Sequence, residues 1–514
     1  MKKEKASKAH GILSNRDDLW PGDTWPCSTP EEQGVDSRWL LDMLKVVKSR
    51  NIGIDGLLVI RNGRLIMEMY RYPYKPDTIH HVYSCTKSFM SALIGIAIAQ
   101  GKIKGPYQRI EDFFSDRRFA HFDKAKLTIT LANLLTMSSG YEWPGGMLEQ
   151  PTLHQWWQSP DWVQYVLDRP LSDPPGIRFV YNTGCSHLLS AILQRSVGMN
   201  TEAFAKSELF PALGIKDWHW QADPQGITTG GFGLWLRPRD MAKLGSLYLN
   251  AGRWNRRQIV PAEWVAESTR QHIEAGAPWL SDGYGYHWWV DGQGYYMALG
   301  FAGQYIVVIP ERNLIMVTAG CLSPNDFFVP ESLLRTYLLP GSRASAALPP
   351  NSEAREELNA CILELAGQDK NAVPSLLPMA FRISGKTFVR RDDEKAGSSG
   401  PPGWKTASLV FTEGGESAFF IEDGESMEIG LDGRYRVSTP YWGGSNPPFP
   451  RSALDLGRGY WKTDNEFIIE HFLLGDGGRF VDTFRFEDDA LVWRQESPTY
   501  GNSRTIKGLQ RQPA

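Results

Sequence analysis

A serine and a lysine three residues apart form the pair in this sequence best suited to chemistry. Of all the serines, only Ser84 is followed by a lysine at the third position, Lys87. The apolar segment 89–99 comes next and ends before Gly101, which predicts a buried helix with Ser84 at its N-terminus. Free backbone N–H groups at that end favour a developing alkoxide, and a lysine one turn away that is shielded from water can act as a base. Alone, however, the spacing is more typical of a helix cap followed by a solvated lysine.

Other catalytic patterns are absent from the sequence. There is no G-x-S-x-G, which argues against an α/β-hydrolase, and no H-E-x-x-H, P-loop or G-x-G-x-x-G. His80 and His81 precede the serine, but neighbouring side chains of an extended segment point to opposite sides, so at most one of them could reach it. Ser84 is therefore the best candidate nucleophile.

Several local patterns predict the elements that must position this pair. An Asn62-Gly63 turn between two apolar runs indicates a hairpin, and a second hairpin is predicted around the turn at 310–313. Helical spacing or apolar runs predict helices at 37–50, 131–137, 186–197, 241–250, 332–339 and 354–365, with an extended segment at 178–184. Short alternating strands are predicted at 417–421, 457–461, 466–472 and 480–486, and a mobile loop at 392–402.

A chain of 514 residues is too long for one hydrophobic core. Shifts in composition predict an N-terminal arm at 1–35, loosely attached, a first domain at 36–340 and a linker at 341–353. A β-rich domain is predicted at 354–514, as an antiparallel barrel or sandwich.

Composition narrows the partners and the compartment. A net charge of −3 favours neither nucleic acid nor an anionic membrane, and no apolar run is long enough for a membrane span or an export signal. Five scattered cysteines indicate neither a disulfide framework nor a metal site. These features predict a cytoplasmic enzyme without a metal or organic cofactor. Tryptophans cluster at 143–162, where Trp143 could wall a substrate cleft, although packing of a long loop is the commoner role.

Five ordered segments resemble the serine β-lactamase and penicillin-binding-protein superfamily, most closely the class C-related (family VIII) esterases and 6-aminohexanoate-dimer hydrolases. They are residues 83–87, 134–140, 175–181, 236–242 and 300–304, and the resemblance spans about residues 35–340. It implies an α/β (α+β) fold in which helices flank a transpeptidase-like antiparallel sheet beside an all-helical subdomain. The C-terminal domain would be an antiparallel β-barrel-like unit similar to lipocalin-like appendages. Its expected role is a structural cover, with shaping of the cleft or a homodimer contact left open.

The resemblance also implies the roles of particular residues. Ser84 would be the nucleophile, Lys87 and Tyr181 would share proton transfer, and the backbone N–H groups of Ser84 and Phe301 would form the oxyanion hole. Which of Lys87 and Tyr181 is the base stays open. Substrate contacts are expected from the following residues: Thr183, Gly300, Gly303, Gln304 and Trp143.

Two departures from the family pattern narrow the expected activity. Thr183 stands where the usual Tyr-x-Asn motif has an amide, and no Lys-Thr-Gly is present to bind a substrate carboxylate. The sequence therefore predicts a serine hydrolase that forms an acyl-serine intermediate with small esters or amides. The alternatives are a D-amino-acid peptidase or weak β-lactamase, transfer of the acyl group to another acceptor, and a non-catalytic binding or regulatory protein.

Overall fold

A computed structural model describes residues 20–121, 123–367, 375–390, 405–439, 454–487 and 490–510. The helices are α1 (Ser37–Ser49), α2 (Thr86–Ala99), α3 (Leu131–Leu135), α4 (Thr152–Trp157), α5 (Trp162–Leu167), α6 (Thr183–Val197), α7 (Thr201–Glu208), α8 (Pro238–Leu249), α9 (Ala262–Ser268), α10 (Val329–Leu333), α11 (Leu339–Gly341), α12 (Ser352–Ala366) and α13 (Pro378–Ile383). The first thirteen strands are β1 (Ile54–Arg61), β2 (Arg64–Tyr70), β3 (His80–His81), β4 (His219–Trp220), β5 (Leu234–Leu236), β6 (Arg253–Trp254), β7 (Arg257–Gln258), β8 (Ile273–Glu274), β9 (Gly283–Tyr284), β10 (Trp289–Asp291), β11 (Tyr295–Gly300), β12 (Gln304–Ile309) and β13 (Leu314–Gly320). The remaining strands are β14 (Thr387–Arg390), β15 (Thr406–Phe411), β16 (Ser417–Glu422), β17 (Glu425–Gly430), β18 (Arg436–Ser438), β19 (Asp455–Trp461), β20 (Glu466–Leu473), β21 (Arg479–Glu487), β22 (Ala490–Ser497) and β23 (Asn502–Gln510).

An eight-stranded antiparallel sheet, in the order β2-β1-β13-β12-β11-β10-β9-β8, forms the centre of the first domain. Successive side chains of a strand point to opposite faces, so Leu58 and Ile60 join one core whereas Leu57 and Val59 join the other. Helices α2 and α8 contribute to the first core, and α1 and α12 contribute to the second. The predicted sheet with flanking helices is confirmed, and the chain from α3 to α7 forms a helical region beside α2.

The two predicted hairpins lie in this sheet. Asn62 and Gly63 connect β1 to β2 with φ values of 53° and 75°, the left-handed conformations that a two-residue hairpin turn requires. The second hairpin pairs β12 with β13, and β11 extends it on the other side. Strand β11 ends at Gly300, so this hairpin brings the predicted oxyanion segment to the edge where α2 begins.

Helix α6 begins earlier than the sequence pattern predicts. The extended segment was expected to continue to residue 184, but it ends at Asn182, whose side chain accepts a hydrogen bond from the Cys185 N–H at 3.1 Å. Asparagine is a favoured N-cap because it satisfies a backbone donor that the helix leaves free. Thr183 consequently lies in the first turn of α6 and faces α2.

The C-terminal strands form a closed barrel. Strands β17, β16, β15, β14, β23, β22, β21, β20 and β19 pair in that order, and β17 returns to pair with β19. The closing pair is parallel, with Ile429 opposite Gly457, whereas the other pairs in the barrel are antiparallel. The barrel interior is filled by side chains such as Phe420, Phe467 and Trp493. The four predicted strands are present. The segment 392–402 lies outside the described residues. Strands β14, β15, β17, β18, β22 and β23 were not predicted.

The regions around the predicted domain boundaries pack closely on the first domain. Helix α12 packs against α1 and β2, and its Leu358 and Leu365 belong to the second core of the sheet. In the described part of the N-terminal arm, Trp25 is buried and the Leu65 N–H donates to the Pro26 carbonyl at 2.8 Å. The division into domains stays a prediction. No helix in the described ranges has both the length and the apolar character needed to cross a bilayer.

Candidate active site

Ser84 lies in a short 3₁₀ turn, Tyr83–Cys85, immediately before α2. Tyr83 adopts φ = 45°, a left-handed conformation that is uncommon for a residue with a bulky side chain. Its hydroxyl donates to the Asp476 carbonyl of the barrel at 2.5 Å, which helps to hold the turn in this conformation. Ser84 is half-buried at the N-terminus of the helix, as the sequence predicts.

Lys87 is buried next to Ser84, with 1% of its surface exposed. Its Nζ donates to Ser84 Oγ at 3.0 Å, to Thr183 Oγ1 at 3.1 Å and to the Gly231 carbonyl at 2.8 Å. Burial lowers the pKa of Lys87 to about 8, although the nearby Glu149 carboxylate acts in the opposite direction. A substantial fraction of the amine is therefore neutral just above neutral pH and is able to take a proton from Ser84.

The ring of Tyr181 lies against the Lys87 amine. The Lys87 Nζ is 4.9 Å from the centre of its ring, which also contacts Trp279 and Trp289 at centroid distances of 5.4 and 5.9 Å. Burial, and secondarily the Glu149 charge, raise the pKa of Tyr181, while hydrogen bonding with Ser84 lowers it less. The phenol thus stays protonated at neutral pH, a state suited to donating a proton rather than removing one.

The predicted oxyanion segment lies beside Ser84. A Cβ on Gly300 would lie 2.5 Å from the Val82 carbonyl oxygen and 3.2 Å from the Ser84 nitrogen, so only glycine permits this approach. Phe301 follows and opens a 3₁₀ turn in which Ala302 has φ = 61°. Gly300 therefore lies next to the Ser84 backbone nitrogen, as a pair of oxyanion donors from Ser84 and Phe301 would require.

Other predicted substrate contacts have internal partners. Gln304 is buried, and its amide donates to the Gly320 carbonyl at 2.7 Å, which ties the start of β12 to the end of β13. Gly303 has φ = 95° and packs closely against Leu322. Trp143 is 5% exposed and lies in the packed loop rather than on an open wall. In the described structure these residues pack within the protein around the site.

The two histidines before the nucleophile also have other partners. His81 Nε2 accepts the Gly233 N–H at 3.0 Å, and its ring stacks on Trp235. His80 is buried and stacks on Tyr74. Neither arrangement supplies a base for Ser84.

Glu149 is a site residue that the sequence did not indicate. It is 4% exposed, and its Oε1 accepts the Trp143 indole N–H and the Thr183 backbone N–H, both at 2.6 Å. Its Oε2 accepts the Thr183 hydroxyl at 2.5 Å. Burial raises the pKa of Glu149, and Lys87 and these hydrogen bonds oppose that rise. No motif or regular spacing connects a loop glutamate to a lysine 62 positions earlier in the chain.

The barrel contributes a second set of unexpected neighbours. The Tyr500 ring stacks on Phe301 at 5.9 Å with an interplanar angle of 8°, and its hydroxyl donates to the Asp476 carboxylate at 3.1 Å. Asp476 also accepts the Tyr83 hydroxyl through its carbonyl. Barrel residues therefore contact the side chains of Tyr83 and Phe301, which belong to the two segments that would form the oxyanion hole.

The immediate surroundings of Ser84 are aromatic. Tyr83, Tyr181, Trp279 and Phe301 are each partly exposed around it, with Tyr500 at the outer edge. Within the described ranges, no three His, Cys, Asp or Glu side chains are grouped as a metal site would need. The arrangement brings together a serine hydroxyl, a buried amine, a phenol and two neighbouring backbone segments, which are the kinds of groups that acyl transfer uses.

Comparisons with known proteins show which family and which relatives this chain resembles. The family model described as Beta-lactamase matches residues 45–323. A 6-aminohexanoate-dimer hydrolase from Paenarthrobacter ureafaciens is 22% identical over 219 residues, which cover 41% of this chain and 56% of that protein. The matched region thus spans little more than half the length of that curated relative.

Solved structures similar to this chain include an octameric penicillin-binding protein homologue from Pyrococcus abyssi. It is 16% identical, with a TM-score of 0.46 and coverage of 91% of this chain and 99% of that one. Another is EstCE1, a hydrolase with promiscuous acyltransferase activity, which is 17% identical with a TM-score of 0.48. That match covers 55% of this chain and 94% of EstCE1.

Proposed function

The chain belongs to the beta-lactamase family, and from that premise we propose that it is a serine hydrolase acting on small esters or amides through an acyl-serine intermediate. The observation that carries this proposal is the buried Lys87 amine, 3.0 Å from Ser84 Oγ and with its pKa lowered to about 8. A lysine that only capped a helix would have no reason to be desolvated against a serine. The relative named as a 6-aminohexanoate-dimer hydrolase supports hydrolysis as the reaction.

Acylation follows from the positions of the groups. Neutral Lys87 removes the Ser84 proton as Oγ bonds to the substrate carbonyl carbon, and the resulting oxyanion is held by the Ser84 and Phe301 N–H groups. The carbonyl re-forms as the bond to the leaving alcohol or amine breaks, and protonated Tyr181 supplies a proton to that group. The Lys87 ammonium then returns a proton to Tyr181. Water attacks the acyl-serine in the second half, with the proton transfers reversed, and releases the acid and free Ser84.

Aromatic walls favour an uncharged acyl group that is apolar or aromatic. Tyr181, Trp279 and Phe301 offer flat apolar surfaces, and no Lys-Thr-Gly is present to bind a carboxylate. The Thr183 hydroxyl already donates to Glu149, so it does not replace the amide donor of the usual Tyr-x-Asn motif. Simple esters and amides are for these reasons better candidates than penicillins or D-amino-acid peptides.

Covalent labelling of the nucleophile tests the proposal. A fluorophosphonate probe followed by peptide mass spectrometry is expected to give one adduct, on Ser84. The matched control is Ser91→Ala, which removes a buried hydroxyl from the same helix. We expect Ser84→Ala to abolish both labelling and turnover of p-nitrophenyl esters while Ser91→Ala preserves both. An adduct at another residue, or an active Ser84→Ala variant, would refute the assignment.

A substrate panel separates the remaining activities. It contains p-nitrophenyl esters, a chromogenic cephalosporin, a D-alanyl peptide and a linear 6-aminohexanoate dimer, each tested with the wild type and Ser84→Ala. Product analysis with added alcohols or amines distinguishes hydrolysis from acyl transfer. A folded wild type that neither labels nor turns over any of these compounds would favour the non-catalytic alternative.

A further inference from the structure

Glu149 determines the direction of a hydrogen-bond chain that ends at the nucleophile. Both partners of its Oε1, the Trp143 indole and the Thr183 backbone, are N–H groups, which can only donate. Oε1 therefore carries no proton, and in the described residues the remaining hydrogen bond of the carboxylate joins Oε2 to the Thr183 hydroxyl at 2.5 Å. When Glu149 is ionised, Thr183 must donate its single proton to Oε2.

This direction restricts what Lys87 can do. With its proton directed to Glu149, the Thr183 oxygen can only accept from Lys87 Nζ, and the Gly231 carbonyl can only accept as well. A neutral amine has two protons and one lone pair. Both protons are needed for Thr183 and Gly231, so the lone pair faces the third neighbour, Ser84 Oγ.

We propose that Glu149 is a positioning residue that, through Thr183, aims the lone pair of Lys87 at Ser84. The inference rests on the proposed function and adds a residue to the same site. Glu149 is buried behind Thr183, and its effect is transmitted by the Thr183 hydroxyl. Protonation of Glu149 on Oε2 would reverse the chain, because Thr183 would then donate to Lys87 and occupy the lone pair that Ser84 requires.

The other titratable groups around the hydrogen-bonded series Glu149–Thr183–Lys87 are uncharged when Glu149 is ionised and Lys87 is neutral. Tyr181, Cys185 and Tyr284 interact electrostatically with Glu149, and burial raises the pKa of each. Around Lys87, burial raises the pKa of Cys85 and lowers that of His287, which keeps both uncharged. Glu149 and Lys87 are thus the pair whose charges govern each other within this cluster.

Glu149→Gln tests the inference because glutamine has the same shape, but one end of its side chain donates hydrogen bonds where the carboxylate accepts them. Its carbonyl can accept the two N–H groups, and its NH₂ must then donate to Thr183, which reverses the chain. Two effects on p-nitrophenyl ester hydrolysis are expected together. The plateau of kcat falls about 10²-fold, the scale of general-base catalysis. The rising limb of the pH profile moves to lower pH, because the negative charge that favours the Lys87 ammonium is gone.

Glu331→Gln is the matched control. Glu331 is also a fully buried carboxylate, but in the described part of the chain its hydrogen-bond partners lie outside the site: the Tyr295 hydroxyl at 2.7 Å and Arg335 at 2.6 Å. Its neutralisation is expected to leave both the plateau and the limb of the profile where the wild type has them. A general effect of losing a buried charge would appear in both variants, whereas the proposed one appears only in Glu149→Gln.

A second pair of variants keeps the test decisive if Glu149→Gln does not fold. Thr183→Val removes the hydroxyl that connects Glu149 to Lys87, whereas Thr183→Ser retains it, so the serine variant should keep a much larger share of the kcat plateau. Equal plateaus for these two variants, or a Glu149→Gln enzyme with the wild-type plateau and limb, would overturn the inference. Those results would leave the proposed function intact if Ser84 still labels, whereas absence of a Ser84 adduct in the wild type would refute the proposed function itself.

Discussion

Replacing Gly300 with alanine tests whether the backbone beside Ser84 forms an oxyanion hole. The added methyl group would lie 2.5 Å from the Val82 carbonyl oxygen and 3.2 Å from the Ser84 nitrogen. Both are backbone atoms, held by the β3–β5 region and by the start of α2, so neither can rotate away as a side chain would. The segment that carries the Phe301 N–H must move instead.

The size of that movement sets the expected loss. Ordinary van der Waals contact begins at 3.4 Å, so relieving the contact with Val82 requires a displacement of about 0.9 Å. A misplacement of about 1 Å can cost 10²-fold in rate, and removal of one oxyanion donor costs about 10²- to 10³-fold in kcat. We therefore expect Gly300→Ala to lower kcat by about 10²-fold, with a smaller effect on KM because the aromatic walls are unchanged.

Steady-state hydrolysis of p-nitrophenyl butyrate measures the effect, and circular dichroism shows whether the variant is folded. Gly414→Ala is the control, because a Cβ at that glycine in the barrel would meet no atom within 4 Å and its φ is not left-handed. We expect this control to match the wild type. A folded Gly300→Ala protein with kcat within threefold of the wild type would show that the Gly300–Phe301 peptide does not stabilise the transition state.

Two further predictions concern the base and the barrel. The kcat/KM for p-nitrophenyl acetate should rise with pH around 8. A Lys87 pKa of about 8 leaves about a tenth of the amine neutral at pH 7 and about nine tenths at pH 9. A rate independent of pH between 6 and 9 would contradict a role of Lys87 as the base. Tyr500→Ala removes the ring stacked on Phe301 and should lower kcat/KM about tenfold, the effect of about 1.4 kcal/mol. Tyr460→Ala, which truncates an exposed tyrosine elsewhere on the barrel, should not, and equal rates for the two variants would count against a contribution of the barrel to the site.

Local sequence patterns predicted the sheet hairpins and the helix behind Ser84, because each depends on neighbouring residues. Asn62-Gly63 alone specifies the turn between β1 and β2. The proximity of Ser84, Lys87 and Tyr181 could not come from spacing, since Tyr181 is almost a hundred positions from the serine, and it was inferred from ordered family motifs. The structure brings all three together, while their catalytic roles stay a prediction.

The residues that sequence reasoning missed act across long separations and follow no period. Glu149 is connected to Lys87 through Thr183 because its loop packs against the start of α6. The only pattern that the sequence of that loop shows is a cluster of tryptophans. Tyr500 and Asp476 reach the site because the closed barrel docks its connecting segments on Tyr83 and Phe301. Barrel closure itself depends on a parallel pairing between β17 and β19 that no alternation of residues could specify.

Thr183 carries a hydroxyl where the family motif has an amide, and the two groups differ in how many hydrogen bonds they can donate. An asparagine side chain has two N–H donors and a carbonyl acceptor, so it can bind a neighbouring carboxylate, accept from the lysine and still offer a donor to a substrate. Threonine has one proton, which it donates to Glu149, and its oxygen accepts from Lys87. No donor remains for a substrate carbonyl oxygen. If Glu149 positions Lys87 as proposed, position 183 serves proton transfer rather than donation to the substrate, and we expect recognition to depend on the aromatic side chains around Ser84, which bind by shape and apolar surface.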